Sequence, residues 1–263
     1  MVVGGSVVWE VDMGKGVPEG HQPATVRSPH RGAPVRDAVI AGHRGDLETA
    51  SRLLGHRDAA VRAAALGALD RIGVLDSCAL TKALSDPGTE VRRHACVLAG
   101  RGFGAITNGA GDGSGGNENA GAQRAGKAEA SDKAAEGVEL VDALVRVLST
   151  DPCDSVVESA AWSLGEAGPR CGRAAVEALE RVATEHADPL CRESAVAALG
   201  AIGDPHALDT VLLALEDKPP VRRRAAIALA AFDDPRVDVA WGRCLEDRDW
   251  QVRQAAEDLL GRP

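Results

Sequence analysis

The stretch Asp188-Pro-Leu-Cys191-Arg192-Glu-Ser-Ala195-Val-Ala-Ala-Leu199-Gly-Ala-Ile202-Gly203-Asp204 decides the fold. It opens on an Asp that can cap a helix, followed by a Pro whose missing N–H costs nothing at the first helical position. Apolar residues then fall at 191, 195, 199 and 202, the three- and four-residue steps of one helix face. Gly203 supplies the left-handed residue on which such a helix ends. The phrase recurs from Asp58 (Val61-Arg62, Leu69, Gly73) and from Asp217 (Val221-Arg222, Leu229, Phe232). Weaker copies begin at Asp86 (Val91-Arg92), Asp151 (Val156, Leu164, Gly168) and Asp249 (Val252-Arg253). The apolar anchors at 61, 91, 156, 191, 221 and 252 lie 30 to 35 residues apart, except for one gap of 65 that holds a repeat plus an insert.

A second helical pattern precedes each copy, over 46–54, 77–84, 138–148, 173–184, 205–215 and 235–245. Leu208, Val211, Leu212 and Leu215 show its spacing most plainly. The unit is therefore helix–turn–helix, six times over, after a lone helix near Val35–Gly42. So short a pair cannot bury its apolar face alone, so neighbours must stack into an all-α α-solenoid, a right-handed superhelix. Ala65, Ala95, Ala195, Ala225 and Ala256 occupy equivalent positions, where a small side chain lets second helices pack close together. Composition agrees: 44% of the chain is apolar but only 2% aromatic, with no Tyr, which disfavours β-sheet folds. Five Asp-Pro steps, at Asp86, Asp151, Asp188, Asp204 and Asp234, each read as an N-cap before a first-turn Pro.

Four segments follow: 1–34, Gly/Pro-rich and expected to lack order; 35–100, the lead helix and repeats one and two; 101–137, a Gly/Ala-rich insert expected to be disordered; and 138–263, repeats three to six. Within the insert, Gly111 to Gly116 matches a dinucleotide-loop spacing and Gly121 to Lys127 most of a phosphate loop. Neither follows a strand, and Ala128 replaces the hydroxyl a phosphate loop needs, so both are read as chance in a Gly-rich tract. The net charge of −9 opposes a general nucleic-acid or anionic-membrane binder; residues 138–263 carry 14 basic and 23 acidic side chains. The longest apolar run, Ala225 to Phe232, is far short of the roughly 20 residues that span a bilayer. The first dozen residues hold Glu10 and Asp12 and no basic n-region, and the six Cys form no C-x-x-C pair. A cytoplasmic monomer with buried thiols is expected.

The Asp…Val-Arg…Ala-Leu-Gly-x-Ile-Gly-Asp phrase, clearest from Cys191-Arg192 to Gly203-Asp204, resembles the HEAT repeat in its short, phycobilisome-lyase-like (PBS-lyase) form. The resemblance covers about 46–100 and 138–261 and implies an armadillo-like helical array, a class that serves mainly as protein-binding scaffolds. One repeat departs from the pattern, with Val157 in place of the Arg, Glu158 beside it and Trp162 further along.

Arg62, Arg92, Arg192, Arg222 and Arg253 each follow an anchor and read as a structural ladder, each meeting the loop Asp of its own or the next repeat. The extra basic residues Arg93, Arg223 and Arg224 exceed that need. With Glu158, Trp162 and Glu193 they form the candidate partner-binding set, on a concave face lined by second helices that grips a protein or peptide. HEAT-like DNA glycosylases offer a second possibility through a basic face with Trp, but the acidic balance and scarce aromatics oppose it. Trp250 is expected to be partly buried, capping the last repeat. His43, His56, His94, His186 and His206 are isolated, with no second His at helical spacing to ligate a metal and no His-Glu step of the HEAT-type hydroxylases. No catalytic pair, metal or cofactor is expected, and a chromophore lyase activity has only free Cys to suggest it.

Overall fold

A computed structural model describes residues 32–108 and 137–261, side chains of 104–108 excepted. The glycine motifs of the insert, the N-terminal segment to residue 31 and residues 262–263 lie outside them. The described residues are helical, with no strand among them. A lead helix α1 (Ala33–Arg44) precedes six pairs: α2 (Leu47–Leu53) with α3 (Ala59–Ile72), α4 (Ser77–Ala83) with α5 (Thr89–Asn108), α6 (137–150) with α7 (Asp154–Ala167), α8 (Gly172–Glu185) with α9 (Pro189–Ile202), α10 (Leu208–Leu213) with α11 (Pro219–Ala228), and α12 (Pro235–Cys244) with α13 (Trp250–Leu260). The odd-numbered helices stack in order as one layer, α1 on α3 through to α11 on α13, and the first helices pack against them. The chain is an α-solenoid.

Small residues set that layer. Ala65, Ala95, Ala195, Ala225 and Ala256 are wholly buried. A methyl added at Gly42 would lie 2.8 Å from the Ala68 Cα, and one at Gly200 2.8 Å from the Ala228 Cα, so backbones touch there. One apolar cluster built of Ala, Leu and Val runs from α3 to α12, with Phe103 its single buried ring. Phe103 also explains why α5 continues to Asn108, past the boundary expected at 100: its ring is buried in the core and its carbonyl accepts a hydrogen bond from Arg170.

The ladder arginines show how repeats are held in register. Arg62 donates to both carboxylate oxygens of Asp86 (2.8 and 2.6 Å), Arg92 to Asp151, Arg192 to Asp217 and Arg222 to Asp247. Each acceptor belongs to the next repeat's turn, while the remaining nitrogen binds carbonyls of the arginine's own turn, such as His56 and Arg57 for Arg62. Among the described residues Arg253 makes the second kind of contact alone, to the Asp247 carbonyl. Two of the expected N-caps are thereby corrected. Asp188, Asp204 and Asp234 do cap helices, but Asp86 and Asp151 stand six residues before the ladder position, not four, and serve as ladder acceptors. Gly73 and Gly203 end their helices in the left-handed region, whereas Gly168, at ψ −146°, leads into a 3-10 turn.

These pairs tie stability to pH. Hydrogen bonds from Arg192 and Arg222 hold the Asp217 and Asp247 carboxyls below the usual range against the opposing cost of burial. At Asp86 burial pulls upward, and Arg62 with the Gly88 amide outweighs it. A carboxyl lowered on folding gives stability that is complete above its unfolded value of about 3.9 and is lost as pH falls through the folded value. The urea midpoint should therefore drop steeply below about pH 4, and Asp247→Asn should flatten that drop; equal slopes in the two proteins would exclude the ladder as its source.

Candidate functional site

The odd-helix layer carries an open cleft of about 370 Å³ across α7, α9 and α11. Three successive anchors place its side chains. Glu158, Trp162 and Glu166 sit four residues apart on α7 and so share one face. Glu193 and Ser194 project from α9, Arg224 from α11, and the floor is Gly165, Ala197, Ala198 and Ala201. A methyl at Gly165 would lie 3.1 Å from the Ala198 Cα, which leaves the floor shallow and apolar.

Trp162 is held from below. A Cβ at Gly100 of α5 would fall 2.4 Å from its six-membered ring, so only glycine lets the ring lie there. The next residue, Ser163, is wholly buried and its hydroxyl donates to the Cys96 carbonyl, fixing α7 on α5. Trp162 nevertheless stays 40% exposed. Across the cleft, Arg224 reaches Glu193 at 3.4 Å, while its Nε is buried without a partner. Among the described residues Glu158 and Glu166 enter no ion pair.

Of the six side chains expected to contact a partner, the cleft gathers Glu158, Trp162, Glu193 and Arg224. Arg93 is exposed one helix away on α5, and Arg223 is half-buried on α11, its Nε unpartnered; neither lines the cleft. Glu166 and Leu190 belong to it without having been expected. The signal for Glu166 was present, since it stands one helical turn beyond Trp162 as Glu158 stands one turn before. Trp250 departs from expectation: it is 63% exposed at the start of α13.

Two other features compete for attention. A cavity of about 530 Å³ lies between the first two repeats, but its central charges, Arg62 and Asp86, are bound to each other. Asp154, His186 and Cys191 bring ligand-type atoms within 4.8 Å of one another. There His186 Nδ1 accepts the Asp188 amide hydrogen, so the neutral ring carries its proton on Nε2, the nitrogen facing Asp154 at 3.9 Å. Burial pushes the Cys191 thiol up to about 12, and its hydrogen bond goes to the Asp154 carbonyl. His186 and Cys191 thus present a proton and a thiol where a cation needs lone pairs, which leaves the Asp154 carboxylate as the one ready donor of the three. Burial likewise raises Cys96 to about 12 and Cys171 and Cys244 to about 11.

The family model for HEAT repeats matches residues 141–230 and 183–261. Among solved structures, an engineered protein is similar at 20% identity over 82% of this chain and 97% of its own, with a TM-score of 0.55. A designed armadillo repeat protein is similar at 17% identity over 82% of this chain and 98% of its own, with a TM-score of 0.52. The complex of CpcE and CpcF of phycocyanin lyase from Nostoc sp. PCC7120 is similar at 22% identity over 82% and 76%, with a TM-score of 0.51. These likenesses establish the fold. No curated protein matches the sequence. No helix among the described residues is long and apolar enough to cross a membrane.

Proposed function

From the match of residues 141–261 to the HEAT-repeat model and the solenoid fold, we propose that the chain is a non-catalytic HEAT-repeat scaffold that binds a protein or peptide across its second helices. The observation that carries the reading is the α7–α9–α11 cleft, where an exposed Trp, an apolar floor and unpaired carboxylates share one face. An aromatic anchor beside polar groups that fix orientation is the usual make-up of an interface centre. The same carboxylates repel phosphates, which sets the cleft against nucleic acid. Catalysis finds little to work with in the cleft: no cysteine lines it, and the ladder carboxylates are bound by guanidinium groups. Four of the six cysteines are buried, as expected, while Cys78 is exposed and Cys153 half-buried; all six are free thiols, which fits a reducing cytoplasm.

A photo-crosslinking residue placed at Glu158 or at Glu193 tests the reading in the native host. Both positions should yield an adduct with the same protein, while one at Glu177, exposed on α8 in the other layer, should not. Adduct patterns that are the same from all three positions would remove the cleft from consideration.

A further inference from the structure

The charges around Trp162 specify what kind of side chain the cleft takes. Resting on the docking reading above, we infer that its occupant is a peptide segment carrying an isolated lysine or arginine, seated against Trp162 between Glu158 and Glu166, with acidic residues on either side.

The first half follows from the geometry of α7. An indole ring offers a negative face to a cation, and Trp is the best of the aromatic residues at doing so. Here the ring is propped by Gly100 on one side and opens to the cleft on the other. A carboxylate stands one helical turn away in each direction, and among the described residues neither Glu158 nor Glu166 is neutralised by an ion pair. Glu193 adds a third, occupied in part by its single contact with Arg224. An incoming cation meets ring and carboxylates together, and the small floor leaves room for the aliphatic stem of a long basic side chain.

The second half follows from the neighbouring helices. Arg93 and Arg101 on α5 occupy the register positions that Glu158 and Glu166 hold on α7, and both are exposed. On the other side α11 presents Arg223 and Arg224. Along the layer the charge thus runs basic, acidic, acidic, basic. Second helices stack about 8–10 Å apart, which an extended peptide crosses in about three residues. A run of consecutive basic residues would therefore place like charges against α5 or α11. A single basic residue with acidic ones about three to six positions away meets opposite charge throughout.

The test is selection of a random peptide library displayed on phage against the full chain, followed by affinity measurements with a synthetic peptide of the selected consensus. Enriched peptides should carry one Lys or Arg near Asp or Glu. The Glu158→Gln/Glu166→Gln protein, altered at two exposed positions only, should bind the consensus peptide roughly tenfold more weakly, and replacing the peptide's basic residue by Gln should cost the same. Trp162→Leu should weaken binding while leaving the melting temperature close to the parent value. Enriched peptides without a basic residue, still sensitive to Trp162→Leu, would overturn the cation inference and leave the docking surface standing. Tighter binding of an oligolysine than of the mixed-charge consensus would overturn the flanking preference. A selection yielding no peptide, or peptides indifferent to all three substitutions, would overturn inference and docking surface together.

Discussion

Replacing Arg222 by methionine should destabilise the C-terminal repeats by about 3 kcal/mol, the range in which breaking a buried ion pair falls. Arg222 is the most enclosed ladder arginine: its side chain is 5% exposed and that of Asp247 16%. Both ends of the guanidinium are engaged, with two bonds to Asp247 at 2.9 and 2.7 Å and one to the Asp217 carbonyl at 2.9 Å. Methionine keeps the stem's volume but strands the Asp247 carboxylate and one carbonyl of the α10–α11 turn. Repeat arrays unfold in coupled segments, so the loss should appear first as faster amide exchange in α12 and α13. Asp247→Asn should cost somewhat less, because its own turn amide can still be accepted. The double variant should cost clearly less than the two single costs added together. A loss below about 1 kcal/mol for Arg222→Met would class the ladder with ordinary surface pairs.

The sequence carried the array itself with little ambiguity, because a thirty-residue period and the Val-Arg phrase both answer to stacking that must bury an apolar face on each side. What it left open were choices of partner at short range. Asp86-Pro87 and Asp188-Pro189 are the same dipeptide, yet one Asp takes an arginine from the preceding repeat and the other caps its own helix. Two residues of turn length separate those fates, and they are visible only by counting back from the ladder position. Trp162 could be placed on the second-helix face from its phase alone. That Gly100, sixty-two residues earlier, is what holds its ring required the fold. Trp250 misled because its context matched other helix starts, whereas it stands 63% exposed at the first position of α13.

The histidines are where the array holds a rule that residue-by-residue reading missed. Read singly, His56 and His186 are unremarkable. Both stand at the turn position that Asp86, Asp151 and Asp247 occupy elsewhere, six residues before the ladder position, and both accept the amide two residues on through Nδ1. In both cases the preceding helix has no arginine to offer: Pro34 stands at that position of α1 and Val157 at that of α7. Aspartate appears where a guanidinium arrives, and histidine where none does. A buried carboxylate without its cation would cost several kcal/mol, whereas a neutral imidazole makes the turn bond at no such penalty. The pairing predicts a rescue. Val157→Arg alone should cost about 2 kcal/mol, because it forces a long cation into a position now filled by a fully packed valine and facing an imidazole. Val157→Arg with His186→Asp should recover the parent stability or exceed it, a coupling of about 2 kcal/mol measured by chemical denaturation. Strict additivity of the two substitutions would mean that the α7–α9 junction is shaped differently from its neighbours and not merely short of one link. That junction is also the one the Trp162 cleft spans. If the coupling is found, the cleft lies at the single described repeat boundary that lacks an arginine link after the first ladder pair, and the restored link gives a direct means of asking whether peptide binding needs that boundary unpinned.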